Sequence, residues 1–224
     1  MSVENEKRIA AQAAADLVEN GMVVGLGSGS TSLMFVRLLG ERVKNGLKIK
    51  GIPTSEETAE VAKEVGIELI SLEDEVHPDL DIDGADEVDG SLNMIKGGGG
   101  KLLREKIVAF AAKEVIIMVD STKLVDKLGK FKVPVEIVPF SQSIVEVAIE
   151  DVGGKPVLRK TKDGSTYITD EKNFILDCDF GLIADAESLA RNLSNIPGVV
   201  EHGLFINLAD LILVGEKDGV RQII

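Results

Sequence analysis

A chain of 224 residues fits one large domain or two smaller ones, and it is long enough to bury a substantial core. With 44% apolar residues and only 4% aromatic ones, none of them Trp, that core is expected to be aliphatic. A formal charge of −13 argues against a nucleic-acid surface, so a phosphate-bearing ligand would need its own local site of cations and backbone amides.

Ile9, Ala13 and Leu17 stand at helical spacing and predict a first helix over residues 4–20, stopped by Gly21. Residues 22–27 read as a short strand, followed by a Gly/Ser turn and an apolar helix reaching Asn45. Residues 48–53 form the next strand, and Thr54 with Glu57 makes a capping box for a helix ending near Gly66. Strands follow at 67–72 and 79–83, then a glycine run at 97–100, a helix over 101–112 and a strongly apolar strand at 115–119. Strand and helix alternating in this way imply an α/β fold, a mostly parallel Rossmann-like sheet with helices on both faces.

The pattern changes near Gly129. Strand 134–140, helix 142–152, strands 156–160 and 173–179, helix 185–195 and strand 199–205 follow the order of a split β-α-β unit. The apolar stretch 208–215 then rejoins the first sheet. The expected domains are residues 1–128 with 206–224, the large α/β catalytic domain, and 129–205, a smaller inserted α+β domain.

The single cysteine, Cys178, permits no disulfide within the chain and reads as a small strand residue. The two histidines, His77 and His202, are too few for a His-rich metal site. The first residues are polar, and apolar runs stop at about six residues, far short of the roughly 20 that a membrane helix needs. A cytoplasmic, reduced protein with no membrane partner is expected.

Four stretches carry chemistry. Gly25-Leu26-Gly27-Ser28-Gly29-Ser30-Thr31 lies between a strand and a helix, where amides and hydroxyls suit an anion. It has neither the Gly-Lys-Ser/Thr of a Walker loop nor a full dinucleotide fingerprint, and a tight turn with Ser/Thr caps reads equally well. Next, Asp81, Asp83, Asp86, Glu87 and Asp89 crowd the end of an apolar strand, the end at which open sheets bind ligands. They suit sugar hydroxyls, a divalent ion or acid–base work, while Glu87 and Asp89 read better as a solvated turn. The third stretch is Lys96 with Gly97, Gly98, Gly99 and Gly100, too costly in conformational entropy for an ordinary loop. In the helix after it, the stripe Leu103, Ile107, Phe110 and Ala111 puts Glu105 on the opposite, solvated face. The fourth is Asp120-Ser121-Thr122-Lys123, whose Lys can reach an anion although a surface Lys is commoner.

In this order the four stretches resemble the type A family of ribose-5-phosphate isomerases. The resemblance continues through Leu128-Gly129-Lys130-Phe131, Pro134-Val135-Glu136, Ile196-Pro197-Gly198-Val199-Val200 and Gly203-Leu204-Phe205, nearly the whole chain. Two departures stand out: Ser28 where the family usually has Thr, and Lys101 where it commonly has a small residue, which adds positive charge there. The resemblance implies that Ser28, Gly29, Ser30 and Thr31 hold the phosphate and that Lys123 completes the anion site. It further implies that Asp83 and Asp86, flanking Gly84 and Ala85, contact sugar hydroxyls, with Asp83 helping to open the furanose ring. Lys96 and the amides of Gly97, Gly98 and Gly99 would stabilise an oxyanion, and Glu105 would be the base that moves a proton between C2 and C1. No cofactor and no metal are implied, and a homodimer or homotetramer is. The alternatives are a non-catalytic sugar-phosphate sensor of the same architecture, a coenzyme A transferase of related fold and a metal-dependent isomerase.

Overall fold

The computed structural model describes residues 2–224. By their contacts these residues fall into two compact units. The first unit takes residues 2–85, Arg104–Leu124 and Leu208–Ile224; the second takes Asp86–Leu103 and Val125–Asn207. Residues 86–103, 125–128 and 206–207 thus group with the second unit, whereas the sequence assigns them to the first domain.

The first unit is built on a seven-stranded sheet. Its strands are β1 (Val23–Leu26), β2 (Lys50–Pro53), β3 (Glu68–Leu69), β4 (Leu80–Gly84), β7 (Val115–Asp120), β13 (Leu211–Glu216) and β14 (Gly219–Ile223). They lie in the order β14-β13-β7-β4-β1-β2-β3, all parallel except the last hairpin, β13 with β14. Apolar residues on alternate positions decide the faces. Val24, Leu26, Leu80 and Ile82 join a core with Ala10, Ala11 and Ala14 of α1 (Val3–Leu17) and with Phe35, Val36 and Leu39 of α2 (Ser30–Lys44). Gly25 and Asp81 therefore point to the other side, where Val108 of α4 (Leu102–Ala111) packs against them.

Helix α3 (Glu56–Glu64) opens at Ser55, whose hydroxyl accepts the amide of Thr58, and not at Thr54. Thr54 is buried and donates its own hydroxyl to the carbonyl of Leu26 at 3.0 Å, so the cap moves one residue along.

The second unit holds a four-stranded antiparallel sheet in the order β11-β8-β10-β9. Its elements run β8 (Val133–Ile137), α5 (Gln142–Asp151), β9 (Lys155–Leu158), β10 (Phe174–Asp179), α6 (Ala186–Ser194) and β11 (Val199–His202), the expected split β-α-β order. A small sheet, β12-β6-β5, adds β5 (Glu87–Val88), β6 (Met94–Ile95) and β12 (Leu204–Phe205). The expected strand 199–205 is two strands, because the chain crosses from one sheet to the other at Gly203: its amide still donates to Pro134 of β8, whereas its carbonyl accepts from Lys96, next to β6. Cys178 lies inside β10, and burial pushes its thiol pKa up, as suits a packing residue.

Candidate active site

The residues singled out in the sequence fall in both units. Ser28, Gly29, Ser30, Thr31, Asp83, Gly84, Ala85, Glu105 and Lys123 belong to the first; Asp86, Lys96, Gly97, Gly98 and Gly99 belong to the second.

In the first unit, the turn after β1 meets α2 at Gly29, whose φ of +90° is comfortable only for glycine. The first backbone bond of the helix runs from the Leu33 amide to the Gly29 carbonyl at 2.9 Å, so the amides of Ser30, Thr31 and Ser32 have no intrahelical acceptor. Three such amides at the positive end of a helix, beside the Ser30 and Thr31 hydroxyls, are the donors an anion would need. Ser28 is turned away from it: its hydroxyl meets those of Thr54 and Ser55, each at 2.8 Å. Lys7 of α1, which sequence reasoning passes over, reaches Ser30 Oγ at 3.1 Å. It lies 23 residues upstream and carries no local signal that separates it from any exposed helical lysine.

Asp83 organises this loop. Its Oδ1 accepts the Ser28 amide at 3.0 Å, the Gly84 amide at 2.7 Å and the Ser32 hydroxyl at 2.9 Å. Asp81, two residues earlier on β4, presents a second buried carboxylate on the same face. Gly25 of β1 and Gly27, just past its end, face them: a Cβ at Gly25 would lie 2.5 Å from Asp81 Oδ1, and one at Gly27 2.0 Å from Asp83 Oδ1.

Helix α4 reverses its expected orientation. Ile107 and Phe110 are 46% and 81% exposed, whereas Glu105, at 5%, is buried with Val108 and Ala109. The helix lies against the face of the sheet that carries glycines and carboxylates, where Val108 would touch a Cβ at Gly25. Glu105 sits one turn nearer the helix N-terminus on the same side. In a parallel α/β unit that end of the helix faces the C-terminal strand ends, here those of Gly27 and Asp83.

Lys123 closes a short 3-10 turn, Ser121–Lys123, capped by Asp120 through the Thr122 amide at 3.1 Å. Glu6 of α1 grips the same turn, accepting the Ser121 amide at 2.9 Å and its hydroxyl at 2.7 Å. These two bonds hold the Glu6 carboxyl below its ordinary range.

In the second unit, Asp86 Oδ2 accepts the Gly98 amide at 2.8 Å. Lys96 is buried, with Nζ 5.4 Å from the centre of the Phe205 ring. Lys101 does not present an unpaired charge, since it meets Asp170 at 2.6 Å. Glu87 is not a solvated residue: it is buried and accepts the amides of Gly129 at 2.7 Å and Phe131 at 2.6 Å. Asp89 is half-buried and takes the amides of Ser91 and Asn93, stapling its own turn. Of the acidic cluster of the sequence, Asp83, Asp86, Glu87 and Asp89 each take a separate set of donors. Among the described residues no three His, Cys, Asp or Glu side chains gather as a metal-binding group. No helix among them is long and apolar enough to cross a membrane.

Residues 50–219 match the family described as ribose 5-phosphate isomerase A (phosphoriboisomerase A). The chain belongs to that family. It is 50% identical to the ribose-5-phosphate isomerase A of Sinorhizobium medicae, covering 100% of this chain and 99% of the relative. The structure of ribose 5-phosphate isomerase A from Methanocaldococcus jannaschii superposes with a TM-score of 0.95 at 44% identity, over 99% of each chain. A D-ribose-5-phosphate isomerase solved with phospho-erythronic acid gives 0.96 at 41% identity, over 100% of this chain and 99% of that one. Membership of the ribose 5-phosphate isomerase A family makes the chain an enzyme, an isomerase, and sets aside the sensor reading.

Proposed function

We propose that this isomerase interconverts D-ribose 5-phosphate and D-ribulose 5-phosphate through a cis-enediolate, with the Glu105 carboxylate as its base. The observation that carries the proposal is the burial of Glu105, a charged first-turn residue that helical periodicity sends to solvent. Its burial sets the carboxylate on the side of the sheet that carries Gly25, Gly27 and Asp83, near the strand ends where an open α/β sheet takes its ligand. In the forward direction Glu105 takes the proton from C2, and charge develops on O1. The O2–H proton passes to O1, and Glu105 returns its proton to C1, leaving the ketone at C2. One carboxylate serves both transfers, as in other enediolate isomerases.

The remaining roles follow from residue chemistry. Ser30 and Thr31, with the turn at Ser28 and Gly29, bind the phosphate; Lys7 and Lys123 supply its countercharges. Asp83 assists ring opening and Asp86 takes a sugar hydroxyl, with the backbone of Gly84 and Ala85 between them. Lys96 and the glycine amides offset the oxyanion. The Gly98 amide is engaged by Asp86, so among the glycines this role falls chiefly to Gly97 and Gly99. We further propose a cytoplasmic homodimer or homotetramer, a reading supported by the exposed row Phe140, Ile144 and Val147 beside and along α5.

The deciding experiment is isomerisation of ribose 5-phosphate, with chelator present, by wild type and Glu105→Gln. General-base catalysis of this kind contributes about 10²–10⁴-fold, so kcat should fall by that much while KM stays within about threefold. A Glu105→Gln enzyme of undiminished kcat would move the base elsewhere.

A further inference from the structure

Residues 97–100 form a turn closed by the Gly100 amide, which donates to the Gly97 carbonyl at 2.9 Å. Four successive glycines do not hold such a turn by themselves, because glycine loses more conformational freedom on folding than any other residue. The turn is held by its carbonyls. Arg159 Nη1 donates to the carbonyls of both Gly97 and Gly98 at 3.1 Å, and the Tyr167 hydroxyl donates to that of Gly99 at 3.1 Å.

These two side chains are themselves fixed. Arg159 is paired with Asp177 through Nε at 2.9 Å and through Nη2, and its side chain is 13% exposed. Its guanidinium carbon lies 5.8 Å from the centre of the Tyr167 ring. That ring fills the space beside Gly100, where a Cβ would stand 2.4 Å from the Tyr167 hydroxyl oxygen.

A planar trans peptide points its C=O and N–H in opposite directions. Drawing the Gly97 carbonyl toward Arg159 turns the Gly98 amide outward, and that amide meets Asp86. Drawing the Gly98 carbonyl the same way turns the Gly99 amide outward, and among the described residues no acceptor receives it. A guanidinium on the carbonyl side also polarises that peptide and strengthens its N–H as a donor. We propose that Arg159 and Tyr167 are positioning residues that grip the carbonyl side of the glycine turn and thereby aim the Gly99 amide at the oxyanion of the reaction. The proposal rests on the reading of this turn as the oxyanion site.

The test compares wild type with Tyr167→Phe, which keeps the ring and removes only the hydroxyl, and with Arg159→Met. It reads kcat, KM and inhibition by two probes. Phospho-erythronic acid carries a carboxylate that imitates the enediolate charge; inorganic phosphate reports the phosphate loop alone. Direct loss of an oxyanion donor costs about 10²–10³ in kcat, and misaiming one should cost less, about tenfold for Tyr167→Phe and up to about a hundredfold for Arg159→Met. Phospho-erythronic acid should weaken by the same factors, with inhibition by phosphate unchanged. Unchanged kcat in Tyr167→Phe, or equal weakening of both probes, would overturn the proposal. If Arg159→Met does not fold, because it strands Asp177, the Tyr167→Phe result alone decides. Lys96→Gln tests the underlying reading separately: full activity in that variant would remove the turn from the oxyanion site whatever Arg159 does.

Discussion

Gly27 and Asp83 contend for one volume from neighbouring strands: a Cβ on Gly27 would lie 2.0 Å from Asp83 Oδ1 and 2.6 Å from Asp83 Cα. Rotating the carboxylate relieves only the first contact, because the second is with backbone. Gly27→Ala should therefore push β1 from β4 at the point where Asp83 gathers the Ser28 amide and the Ser32 hydroxyl. Overpacking of this kind costs about 1–3 kcal/mol. The expected outcome is that loss in urea denaturation, together with a fall in kcat/KM of more than tenfold. An alanine variant of native stability and activity would mean that the strands yield freely there.

The reversed face of α4 makes a paired prediction. Val108→Ala should destabilise the protein by about 2 kcal/mol, since it opens a gap against Gly25 and Asp81. Phe110→Ser should stay within about 0.5 kcal/mol of wild type, as an exposed substitution does. Denaturation of both variants at one protein concentration checks the orientation of the helix, and the opposite ranking would restore the face expected from periodicity.

Glu136 supplies a pH dependence. It is buried on β8, accepting from Thr169 Oγ1 at 2.8 Å and Asn173 Nδ2 at 3.0 Å. Burial raises its pKa above the ordinary 4.5 despite those two bonds, and the charges of Glu171 and Asp170 raise it further. A carboxyl whose folded pKa is raised adds stability below its unfolded pKa and loses it as pH climbs through the folded value. Glu136→Gln keeps an acceptor oxygen and removes the titration. Melting temperatures should be similar near pH 4.5 and diverge in favour of the variant as pH rises to 7.5. Curves that run parallel over this range would show that Glu136 titrates normally.

Much of the architecture is legible in the chain. Short apolar runs alternating with helical stripes specify a parallel sheet, because only strands buried on both faces lack polar alternation. The glycines at 25 and 27 and at 97, 98 and 100 mark close approaches, that at 29 marks a left-handed turn, and Asp83, Asp86 and Lys96 stand out as charges beside them. The family resemblance rests on the same residues in the same order.

Other features are matters of tertiary structure alone. Periodicity finds the apolar stripe of α4 but not the surface that the helix covers. Here that surface is a strip of glycines and carboxylates, so Glu105 turns inward and Phe110 outward. Glu87 reads as solvated until the amides of Gly129 and Phe131, more than forty residues on, arrive to bind it. Lys7 and Ser30, like Arg159 and the glycine turn, meet only after the chain has closed loops of 23 and 61 or 62 residues. Local sequence dictates element type through propensity and spacing, which act over a few residues. Which charge is buried, and which backbone group it holds, is set by contacts whose loop-closure cost the whole fold must offset, and no single segment encodes them.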